Sequence, residues 1–117
     1  MMKNLTKIEI TDGSDKVVAT YHIAVASIRA NARRLKLIAP FIEDDEMDNF
    51  LKNSMFNCAA LACTLCDEKG ELLYPNDDTA IDEVMEEISL EVFNILCTES
   101  VKVNPPTQSL KAKKKKS

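Results

Sequence analysis

The sequence has no tryptophan, one histidine, two glycines and four prolines. So few turn-formers disfavour an all-β fold dense in tight turns and favour helices. The lone histidine, His22, argues against triad chemistry and histidine-based metal sites, and beside Tyr21 in a predicted strand it reads as structural. No glycine-rich phosphate loop and no nucleophile–base pattern is present. An enzyme is therefore not expected, and neither is a cofactor. No hydrophobic run reaches the length of a membrane span. No apolar signal-peptide core follows Met1, Met2, Lys3 and Asn4. These absences predict a cytoplasmic protein away from membranes, with its cysteines as reduced thiols.

What is present fits one domain: 117 residues, 45% apolar and 29% charged. The net charge of −4 is uneven, because the last seven residues hold five of the fifteen basic side chains and no acid. Residues 1–110 then carry ten basic against nineteen acidic groups. An acidic body disfavours a broad nucleic-acid footprint.

Leu5 to Ile10 alternates apolar and polar residues. Asp12-Gly13 is a hairpin-turn signal, and Lys16 to Ile23 is rich in β-branched and aromatic residues, so the start reads as a β-hairpin. From Ala24 to Ala39 the period changes to helical, with Val25, Ile28, Ala32, Leu35 and Ala39 in step. Pro40 stops that helix. Acids from Glu43 to Asp48 favour the start of a second helix running to about Cys66, with Met47, Phe50, Leu51, Met55, Cys58 and Ala62 as its apolar stripe. The small apolar half from Cys58 to Cys66 reads as the most buried stretch, and Gly70 as a left-handed cap.

Glu71 to Tyr74 reads as a short extended piece. Thr79 followed by Asp82 resembles a capping arrangement. A third helix then places Ile81, Val84, Met85, Ile88, Val92, Ile95 and Leu96 on one face. The expected fold is mainly α (α+β): an N-terminal β-hairpin followed by three helices in one domain over 1–104. Residues 105–117 read as a flexible, Lys-rich, disordered basic tail.

The cysteines allow a sharper reading. Cys58-x4-Cys63-x2-Cys66, with Cys97 further on, has the ligand spacing of a plant-type iron–sulfur ferredoxin, and a four-cysteine metal site is the alternative function. Against it, the intervening residues suit a helix, in which Cys58 and Cys63 point about 140° apart. Cysteine also behaves as a small buried hydrophobe, so core packing is the expectation. Cys63-x2-Cys66 lies at a helix C-terminus beside Asp67 and Glu68, which disfavours redox catalysis. The acids from Glu43 to Asp48 lack the ligand alternation and central glycine of a calcium loop. The basic face of Arg29, Arg33, Arg34 and Lys36 is expected to pair internally or to meet a protein.

From Asn57 to Asn104, an apolar helix (Ala59 to Leu65) runs into Cys66-Asp67-Glu68-Lys69-Gly70-Glu71-Leu72-Leu73-Tyr74. An acidic turn and an amphipathic helix ending near Leu96 follow. This segment resembles the tail assembly chaperones of long-tailed bacteriophages, in which an apolar helix leads to an acidic glycine-bearing turn, a short apolar–aromatic piece and a final helix. The strand-to-helix region with Arg29 and Arg33 is compatible. Four cysteines depart from the family's pattern.

The resemblance implies a protein that coats the helical tape measure protein, keeps it soluble and recruits tail tube subunits, with self-association into a homo-oligomer. It also implies a longer product made by programmed frameshifting, and the Lys113–Lys116 codons lie where a slippery site would be. A holding chaperone needs an apolar face that a partner helix can satisfy. Val25, Ile28, Leu35, Ile38, Phe41 and Ile42 are the expected contact residues.

Overall fold

A computed structural model of the chain describes residues 1–106, 110, 112 and 113. Most of the expected Lys-rich tail lies outside the described residues. The hairpin is formed by β1 (Leu5–Thr11) and β2 (Val17–Ala24), antiparallel, with Leu5 opposite Ala24 and Ile10 opposite Ala19. The alternation read in the sequence buries Ile8 and Ile10 and leaves Lys7 and Glu9 exposed. The turn is led by Asp12, whose carboxylate accepts the amides of Ser14 and Lys16 at 2.8 and 3.1 Å. Asp15 rather than Gly13 takes the left-handed conformation, at φ 61°. A bulge beside Ile10 and Thr11 absorbs the residue that a longer turn adds.

The first helix, α1 (Ile28–Ile38), starts later than its periodicity suggests. Ala24 is still in β2, opposite Leu5, and the Val25 amide donates to the Asn4 carbonyl at 3.2 Å. Ser27 then caps the helix, its hydroxyl accepting the Ala30 amide at 3.0 Å. Pro40 ends the α-helix as expected, and Ala39–Phe41 tightens into one 3-10 turn.

The acids Glu43–Asp48 precede the second helix, α2 (Asn49–Thr64), instead of forming its first turn. Asp48 is its N-cap and accepts the Phe50 amide at 3.0 Å. The helix stops at Thr64, short of Cys66, because Leu65–Cys66 forms β3 on β2, with Cys66 opposite His22. The sheet order is β1-β2-β3. Gly70 is left-handed at φ 86°, as expected, but it closes a turn after β3 and caps no helix. That turn repeats the first one: Asp67 accepts the amides of Lys69 and Glu71 at 2.8 and 3.0 Å. A side chain at Gly70 would collide with the Met2 carbonyl.

The expected third helix is two helices, α3 (Ala80–Glu87) and α4 (Leu90–Val103). Ile88 is extended and Ser89 caps α4, accepting the Val92 amide at 3.3 Å. The break divides the stripe: Val84, Ile88 and Leu96 are buried, while Met85 and Ile95 are exposed. Thr79 donates to the Glu83 carboxylate at 2.9 Å and makes no side-chain cap, so the arrangement with Asp82 does not form.

The α+β class stands: the described residues form four α-helices beside a three-stranded antiparallel sheet. The second half of α2 runs through its centre, and Cys58, Ala59, Leu61, Ala62 and Cys63 are buried there as their composition predicts. Among the described residues, no helix is long and apolar enough to cross a membrane.

Candidate functional site

Helix α1 has two apolar faces. Ala30, Leu37 and Ile38 enter the core. The other series, Ile28, Ala32, Leu35 and Ala39, is spaced by four, three and four residues and is exposed along its whole length. Ile28 is 92% and Leu35 48% exposed, and Val25 before the helix and Ile42 after it are exposed as well. Four of the six expected contact residues therefore lie on the surface. Ile38 and Phe41 do not, at 5% and 7% exposed. Ile38 follows Leu37 on the inward face. The 3-10 turn brings Phe41 onto Phe56 of α2, with ring centroids 5.7 Å apart.

Arg33 explains why this face of α1 points outward. Its guanidinium donates to the Ala62 carbonyl at 2.8 Å, the Tyr74 carbonyl at 2.6 Å and the Asp77 carboxylate at 2.6 Å. Ala62 lies in the last turn of α2, where carbonyls lack helical partners and a cation is favoured. Arg33 thus faces inward, about 140° from Ile28 and about 160° from Leu35 around the helix. Asp77 is held below the ordinary carboxylate range by the Arg33 hydrogen bond. Burial pushes the Tyr74 phenol up, and Glu87 adds to the effect. Lys36 reaches the other Asp77 oxygen at 3.8 Å, and Arg34 donates to Asn31 at 2.9 Å. The basic face is thus partly paired within the molecule.

Asn104 provides a second clamp that sequence reading missed. Its side chain accepts the Ala26 amide at 2.7 Å and donates to the Ala24 carbonyl at 3.0 Å. This ties the end of α4 to the β2–α1 junction and fixes the backbone around Val25. A bond across so much sequence leaves no periodic signal. Ala32 and Ala39 were also legible only as members of the helical series.

An open cleft of about 830 Å³ lies between α1, α2 and α4. Val25, Ala30, Phe56, Ala60 and Val101 give it apolar walls, and Asn31, Arg34 and Ser100 line it with polar groups. Cys63 and Cys97 also border it. Burial raises the Cys58 thiol to about 11, with Cys97 nearby adding to the rise. Burial raises Cys63 too, against the opposing pull of Arg33, and raises Cys66, where Asp67 adds. Protonated thiols are weak nucleophiles and weak metal ligands. Cys58 and Cys63 sit on one unbroken helix and Cys66 on β3. Among the described residues, no group of three or more His, Cys, Asp or Glu side chains is placed to hold a metal ion.

No known protein family, characterised protein or solved structure matches this chain.

Proposed function

We propose that the chain is a non-catalytic holding chaperone of the phage tail assembly type, binding a helical client along the outward face of α1. The client is the tape measure protein, held soluble in the host cytoplasm until tail tube subunits are recruited. The observation that carries this reading is the exposed series Ile28, Ala32, Leu35 and Ala39. Its four–three–four spacing is that of a coiled-coil seam, which a second amphipathic helix completes. Large Ile28 and Leu35 alternate with small Ala32 and Ala39, giving knobs and holes for an opposing helix. The series spans about 16 Å, three turns of helix. Val25 and Ile42 extend it at either end.

The test is co-expression with the tape measure protein. The wild-type chain keeps the client in the soluble fraction. The double variant Ile28→Glu/Leu35→Glu loses it while its own melting temperature stays within about 3 °C of wild type. A client equally soluble with the double variant, or insoluble with both, overturns the reading.

A further inference from the structure

Among the described residues β1 is an edge strand, since the sheet order leaves β2 on one side of it and no strand on the other. The phase of its ladder is fixed at one end by the Val25 amide donating to the Asn4 carbonyl, in register with Leu5 opposite Ala24. At the other end the Asp12 amide donates to the Lys16 carbonyl. Bonded pairs alternate along an antiparallel ladder. Asn4, Thr6, Ile8 and Ile10 therefore turn their backbone groups toward β2. Leu5, Lys7, Glu9 and Thr11 turn theirs outward. Among the described residues, no hydrogen bond from any other segment reaches the backbone of Leu5–Thr11.

We propose that β1 pairs with the β1 of a second copy, antiparallel and centred on Ile8, joining two three-stranded sheets into one of six strands. In that register the outward-facing backbone groups of Lys7 meet those of Glu9 from the other copy, and Leu5 meets Thr11. Each of these pairs exchanges two hydrogen bonds. The side chains agree with the backbone. Lys7 lies directly opposite Glu9 of the second copy, twice across the dyad, and both are exposed. Sliding by one bonded step places Lys7 against Lys7 or Glu9 against Glu9, which like-charge repulsion opposes. A lone edge lysine discourages strand addition. Here Glu9, two residues on, makes the same edge complementary to itself, as an isologous interface requires. The dyad is normal to the sheet, so both copies of α4 lie on the same side of it, and α4 leaves Leu90 and Ile95 exposed. This interface stands apart from the α1 face and does not depend on the client.

The experiment is sedimentation of the full chain over a range of concentrations, with Lys7→Glu, Glu9→Lys and the double swap Lys7→Glu/Glu9→Lys. The wild type forms a dimer. Each single variant weakens it by about tenfold or more, because two attractive pairs become repulsive. The double swap restores it. Glu9→Pro removes an outward amide and abolishes the dimer, while circular dichroism shows the fold retained. A wild-type monomer at every concentration, a dimer indifferent to single reversals, or a double swap that stays dissociated overturns the proposal.

Discussion

Helices α1 and α2 pack side by side and are both rich in apolar residues, yet they use them in opposite ways. The second half of α2, Cys58 to Thr64, is buried except for Ala60, which is half-buried. In α1 the apolar series Ile28, Ala32, Leu35 and Ala39 faces solvent, and a shorter one, Ala30, Leu37 and Ile38, faces the core. Helical periodicity identifies a face but not which way it points. In α2 the answer comes from small side chains that let neighbours close in. In α1 it comes from a polar group, because Arg33 finds its partners only on the inside, on Ala62, Tyr74 and Asp77.

Three substitutions probe that contrast. Leu61→Ala removes a fully buried side chain from α2 and costs about 3 kcal/mol in urea unfolding. Leu35→Ala, the comparable truncation on the outer face of α1, changes stability by less than about 0.5 kcal/mol. Equal costs would mean that the α1 face is core after all. Arg33→Met keeps the volume but strands two carbonyls and a carboxylate, and costs about 2 kcal/mol. A neutral Arg33→Met would show that apolar contacts alone orient α1.

Acid should loosen the same clamp with a definite sign. Asp77 has a lowered value in the fold, owing first to its hydrogen bond from Arg33. Its contribution is complete above the unfolded carboxylate value of about 3.9, and is lost as pH falls through the lower folded value. The pH dependence of stability below about 4 should therefore be shallower in Asp77→Asn than in wild type. Asp77 is partly exposed, so this effect is smaller than that of Arg33→Met. The smallest change in stability is expected for Ile28→Glu, within about 0.5 kcal/mol, while binding of the proposed client falls.

Much of the fold could be read from local pattern. Alternation placed the hairpin, small apolar residues placed the buried half of α2, and Pro40 marked the end of α1. Three features could not be read this way. The stripe from Ile81 to Leu96 continues through the break at Ile88, because a buried extended residue keeps an apolar identity. Ser89 was the only local sign of a new helix start. The orientation of α1 depends on Arg33 meeting carbonyls on α2 and beyond it, and no spacing encodes that encounter. The same holds for Asn104, whose partners lie at the β2–α1 junction. In the candidate site, Val25, Ile28, Leu35 and Ile42 were legible as apolar and exposed. Ile38 and Phe41 were misplaced because α1 turns Ile38 inward and the 3-10 turn after it brings Phe41 onto Phe56.

The most direct test is amide hydrogen exchange on the chain alone and mixed with the proposed client, the tape measure protein. Binding along α1 predicts added protection concentrated from Val25 to Ile42, with the already buried second half of α2 unchanged. Protection confined to α3 and α4, with α1 exchanging as in the free chain, would contradict the account.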